Sequence, residues 1–170
     1  MNFRAVARFA ALFSQSPRAK MSSLGTGMLQ DGIFVKGSWI KDKSHQATAV
    51  KFLTASLKGW VYCRDHYKDC VNAVLKAGTA LPKGHQTWQM NEINALIWPN
   101  KLGVGIMDPA QYKTTANIAY KFKVIKMPAT KASYRTDLAK KAVAALKKQG
   151  VDVNGNGWKK KTVKLTFGGR

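Results

Sequence analysis

Cys63, His66 and Cys70 stand in the spacing C-x2-H-x3-C, which puts the three near one face of a helix. Thiolate and imidazole are zinc's ligands, and His45 or His85 would be the fourth. Structural zinc sites, however, pair closely spaced ligands at both ends, and this run supplies one end only. The expectation is two packed thiols beside a surface histidine, without a metal. A thiol nucleophile needs a base and an orienting third group; Cys63 with His66 is one pairing available, and no oxyanion-stabilising pattern lies near it. Two cysteines do not make a disulfide framework, so reduced thiols are expected, with a single bridge as the alternative.

Carboxylate chemistry is poorly provided for. Glu92 is the one glutamate, and the eight acids are scattered. Gly103, Gly105, Gly155 and Gly157 form no phosphate-cradling pattern. The inventory points away from an enzyme and implies no cofactor.

The lysines carry more. With 29 Lys and Arg against 8 Asp and Glu, the net charge is +21, and so much like charge calls for an anionic partner. Lys121, Lys123, Lys126, Lys140, Lys141, Lys147, Lys148, Lys159, Lys160, Lys161 and Lys164 form three clusters, offset in the last third only by Asp137 and Asp152. Lysine is a flexible point charge suited to phosphate contacts that do not read bases. These lysines are the candidate RNA-binding residues, with Trp158 beside Lys159 as a stacking ring. Trp60, Trp88 and Trp98 lie in helix-like runs and are expected in the core.

Positioning these groups falls to a mainly helical chain. Val50, Leu53, Leu57, Trp60, Val61 and Arg64 form the clearest helical stripe; a second helix starts near Asp69 and closes at Gly78. Trp88, Ile93, Leu96 and Ile97 mark one face of a helix that Pro99 ends. Asp108-Pro109 reads as an N-cap followed by proline at the first helical position, with Tyr112, Ala116 and Ala119 inward. Ser133 to Gln149 turns Leu138, Ala142, Ala145 and Leu146 inward, and Gly150 stops it. Short strands are expected at Ile33-Phe34-Val35 and at Val163, Leu165 and Phe167, the latter after a turn at Asn154 to Gly157. No stretch is long and apolar enough to span a bilayer.

Residues 1–23 read as a basic N-terminal arm or mitochondrial presequence: Phe3, Val6, Ala10 and Phe13 share a helical face, Arg4 and Arg8 lie off it, and no acid occurs before Asp31. Residues 24–170 form the single remaining domain.

Five blocks, GTGMLQDGIFV (25–35), AVKFLTASLKGWVYCRDH (49–66), GHQTWQMNEINALIWP (84–99), GIMDPAQY (105–112) and YRTDLAKKAVAAL (134–146), resemble in order the C-terminal part of ABC-transporter substrate-binding proteins of the thiamine-pyrimidine-precursor and nitrogenous-solute type. The resemblance implies a secreted ancestry and an α/β remnant, mainly α-helical with a few short strands, of a periplasmic-binding-protein type II-like fold. Such proteins close two lobes on a solute and are about twice this length, so the first lobe and much of the cleft are missing from what the blocks cover. Gln30 and Asp31 are the positions for any residual polar contact with a ligand.

Charge, presequence-like start and partial fold together lead to the expectation of a recruited scaffold. It would be a structural, RNA-contacting subunit of a mitochondrial ribonucleoprotein in the matrix, the mitochondrial ribosome foremost, touching ribosomal RNA and neighbouring protein subunits and taking no small-molecule ligand. The alternatives are a degenerate binding module for a small pyrimidine-like solute and a supernumerary subunit of a mitochondrial membrane complex.

Overall fold

The computed structural model describes residues 32–78 and 80–165. The expected arm or presequence, Gln30 and Asp31 lie outside the described residues, as does Phe167. The fold is mainly helical: α1 (Gly37–Ile40), α2 (Lys43–Asp65), α3 (Tyr67–Ala77), α4 (Lys83–Ile97), α5 (Pro109–Lys121), a 3-10 turn (Lys131–Ser133) and α6 (Asp137–Lys148).

Neither expected strand is found among the described residues. Ile33, Phe34 and Val35 are extended but not paired, 57%, 90% and 50% exposed, and lead into α1. Residues 163–165 are likewise irregular. A strand exists only as one side of a hydrogen-bonded ladder, and short apolar runs do not state whether a partner is present.

The long helix α2 begins where the Asp42 carboxylate accepts the Ser44 backbone N–H at 2.7 Å. It buries Leu57, Val61 and Arg64, successive positions of the apolar stripe. The chain breaks direction at His66, whose N–H still donates to the Tyr62 carbonyl at 2.7 Å, and α3 follows at once. Gly78 closes α3. Helix α4 stops at Ile97 because Trp98, preceding Pro99, is extended. Asp108 caps α5 as its type and position predict, accepting from the N–H groups of Ala110 and Gln111 at 2.8 and 3.3 Å.

The core forms chiefly between α2 and α6. Leu57 and Val61 meet Ala142, Val143 and Leu146, with Trp98, Val104, Ile106 and Val153 filling in from the connecting segments. Two of these segments are tied together: the Val104 N–H donates to the Val153 carbonyl and the Asn100 N–H to the Asn154 carbonyl, both at 2.9 Å. Of the three tryptophans expected in the core, Trp98 is enclosed at 2% exposed, whereas Trp60 and Trp88 are not, which corrects the expectation for those two. Trp60 packs half-buried at the core's edge, while half-buried Trp88 lies beside His85 with ring centroids 5.7 Å apart. The buried side chains of α4 are the amides Asn91 and Asn94, and Leu96 is 47% exposed. Asn94 is accounted for by Trp98, whose indole N–H donates to the Asn94 Oδ1 at 3.2 Å.

Candidate ligand cleft and basic surface

The corner between α2 and α3 is where the sequence placed its candidate chemistry, and it is a staple. Cys63 and Cys70 are joined in a disulfide, which corrects the expectation of reduced thiols. A sulfur already bonded to sulfur is neither a thiolate ligand nor a nucleophile, so the Cys63–His66 pairing has no chemistry in this state. Seven residues put the two sulfurs on facing sides of the His66 corner, and the spacing that looked helical spans two helices instead. The Tyr62 hydroxyl donates to Asp69 Oδ2 at 2.9 Å across the same corner, a bond that holds the phenol's pKa above its ordinary value, and the Tyr62 and His66 rings stack at 4.4 Å. No group of three His, Cys, Asp or Glu side chains that could hold a metal occurs among the described residues.

Next to Cys63, at the end of α2, Arg64 is buried and engaged through all three nitrogens. Its Nε and Nη2 donate to Asp65 at 2.7 and 2.9 Å, and its Nη1 donates to the Asp152 carbonyl at 2.7 Å. The hydrogen bonds with Asp65 raise the guanidinium's pKa and lower the carboxyl's. Asp152-Val153-Asn154-Gly155-Asn156-Gly157 has the D-x-N-x-N-G start of a calcium loop, a signal the sequence reading passed over. In the fold Asp152 Oδ1 accepts the N–H groups of Asn154 and Gly155, at 3.1 and 2.9 Å, and the cation beside Asp152 Oδ2 is Arg64 at 3.4 Å. The loop's role is to wrap the guanidinium.

Above Arg64 opens a cleft of about 260 Å³ between α3, α4 and the segment after Trp158. Tyr67, Thr87, Asn91, Trp158, Lys161 and Thr162 line it. Asn91 anchors its far wall, the side-chain amide donating to the Lys161 carbonyl at 2.7 Å and accepting the Lys161 N–H at 2.9 Å. That reciprocal pair mimics a strand ladder and explains why Asn91 is buried. It also carries the Lys161 ammonium to 4.0 Å from the centroid of the Tyr67 ring, a cation–π contact. Sequence reasoning missed Tyr67, Thr87 and Asn91, because the cleft arises from a contact seventy residues apart that no local spacing announces.

The eleven lysines expected to bind RNA are all exposed. Lys140, Lys141, Lys147 and Lys148 occupy the outer side of α6, opposite Leu138, Ala142, Val143 and Leu146. Lys121 ends α5, with Lys123 and Lys126 just beyond it. Lys159, Lys160, Lys161 and Lys164 follow Trp158, and among the described residues only Lys160 of the eleven has an ion pair, to Glu92 at 2.5 Å. Trp158 is half-buried against the core, not an open stacking ring. Its backbone N–H donates to the Gly155 carbonyl at 3.0 Å, which fixes the main chain beside the cleft. No family model matches the chain, and no curated protein or solved structure matches it.

Proposed function

We propose that the chain is the C-terminal portion of a secreted solute-binding protein of the ABC-transporter type, built to hold a small nitrogenous, pyrimidine-like solute. The observation that carries this reading is the Cys63–Cys70 bridge. Disulfides form and persist in oxidising compartments, the setting that the five-block resemblance implies, whereas a reducing matrix would leave both thiols free. Four of the five blocks pack together: Leu57 and Val61, Trp98, Ile106, and the set Ala142, Val143 and Leu146 share one core. The cleft beside it offers two rings, Tyr67 and Trp158, with the Thr87 hydroxyl and the Lys161 ammonium at its wall. Such a set suits a flat heterocycle with hydrogen-bonding nitrogens. Calorimetry with a 4-aminopyrimidine tests the reading: saturable heat, weakened at least about tenfold by Tyr67→Ala, is expected from the loss of one well-packed ring. Absence of heat at millimolar pyrimidine removes it.

A second reading, the RNA-contacting subunit of a mitochondrial ribonucleoprotein, is favoured by a different observation. All eleven expected lysines are exposed, and ten of them have no ion pair among the described residues. Phosphate neutralisation by these lysines would release counterions, so affinity for RNA would fall steeply with salt. A shallow salt slope removes this reading, and a steep one together with a null pyrimidine titration would displace the first.

A further inference from the structure

The turn that follows α5 sets exposed apolar side chains among lysines in a hydrogen-bonded cap. Tyr120, Phe122, Val124 and Met127 are 48%, 70%, 76% and 77% exposed, and Lys121, Lys123 and Lys126 alternate among them. The nearest acids in sequence are Asp108 and Asp137, both outside the run. Helix α5, which leads into it, buries none of its residues. Backbone bonds fix the turn: the Val124 N–H donates to the Ala119 carbonyl at 2.8 Å and the Lys123 N–H to the Tyr120 carbonyl at 3.0 Å. These are the two bonds of a Schellman cap, whose left-handed position is usually glycine. Here it is Lys123, at φ +58°. Lysine bears a strain there that glycine would not, and brings an ammonium that glycine would lack.

We propose that residues 120–127 are a docking element for an anionic lipid surface. The three ammonium groups meet the lipid headgroups, each adding attraction toward an acidic leaflet. Phe122, Val124 and Met127 enter the acyl boundary beneath, recovering the apolar area they expose to water. The apolar types decide between polyanions: nucleic acid gains from lysine and from flat rings, but offers valine and methionine nothing to bury against. A lipid interface rewards all of them.

The test is co-sedimentation of the full chain with vesicles of phosphatidylglycerol and phosphatidylcholine, and with vesicles of phosphatidylcholine alone, at physiological salt. Binding at least about tenfold tighter to the anionic vesicles is expected, and a triple variant Phe122→Ser, Val124→Ser, Met127→Ser should lose at least about tenfold of it. The three side chains are exposed, so an unchanged melting midpoint is the control for folding. Equal binding to both vesicles, or a triple variant that binds anionic vesicles like the parent, overturns the proposal. So does a triple variant that loses affinity for an RNA oligomer while neither protein binds vesicles, which would make the turn an RNA contact. A parent that dimerises through the turn without binding vesicles also overturns it.

Discussion

The Arg64 guanidinium lies 4.7 Å from the centroid of the Trp98 ring, joining the buried end of α2 to the one tryptophan fully enclosed by the core. The same group holds Asp65 with two nitrogens and the Asp152 carbonyl with a third. Arg64→Met keeps the stem's volume but leaves that carbonyl without its donor and Asp65 without its cation. A loss of about 1.5–3 kcal/mol in urea unfolding is expected, the scale for hydrogen bonds from a charged group, since Asp65 itself is half-exposed. Arg64→Lys should recover little, since one ammonium cannot reproduce a three-way fork. Stability equal to the parent in either variant would show that the network is a passenger.

The Cys63–Cys70 bridge closes a short loop around the His66 corner. Loop-closure entropy for a loop this short is worth about 2.5 kcal/mol at most, and the Tyr62–Asp69 bond across the same corner remains when the bridge is gone. Cys63→Ser with Cys70→Ser should therefore lower the melting midpoint without unfolding the protein. Thiol titration of the native, unreduced protein should find none reactive; two reactive thiols would return the reduced state expected from the sequence and take away the support for an oxidising compartment.

The helices were legible because their signals are local: the stripe ending in Val61 and Arg64, the Asp108-Pro109 start, Gly150 after α6. Gly150 indeed takes φ +74°. What was not legible depends on a partner distant in sequence. Ile33 to Val35 read as a strand because a strand's partner cannot be seen from its own residues. Nothing in the local spacing marks Asn91 as buried; its amide is used by Lys161, seventy residues on. Trp158 read as an exposed ring because its lysine neighbours are exposed, while its own indole turns to the core. The basic residues themselves were legible as exposed, but no spacing in sequence tells which of them share a face.

Acid should weaken the fold through identified carboxylates. Hydrogen bonds from Arg64 and Arg135 hold Asp65 and Asp137 below the ordinary value of 3.8, and Ser44 does the same for Asp42. A depressed folded-state pKa means that in acid the unfolded chain binds more protons than the folded one, so the stability these groups give is present above 3.8 and lost as pH falls through their folded values. The urea midpoint should be nearly flat from about pH 7 to pH 5 and fall below that. Repulsion adds to the loss, because each protonated acid raises a net charge already at +21. Asp65→Asn combined with Asp137→Asn should lower the neutral midpoint and flatten the acid limb. An acid limb as steep in the double variant as in the parent would place the sensitivity elsewhere.

Lys123 offers a test of whether function or stability set the turn after α5. A left-handed conformation costs a residue with a Cβ roughly 1–2 kcal/mol, and glycine removes that cost while giving back part of it as chain entropy in the unfolded state. Lys123→Gly is thus expected to raise stability by about 0.5–1 kcal/mol in urea unfolding, with the Ala119 and Tyr120 carbonyls still capped. Lys123→Val should do the opposite, since a β-branched side chain is the poorest fit to φ +58°. If the glycine variant is more stable but binds anionic vesicles more weakly than the parent, the ammonium at this position acts in docking at a cost to the cap. If it is no more stable than the parent, the left-handed turn is unstrained and the conformation of Lys123 carries no sign of function.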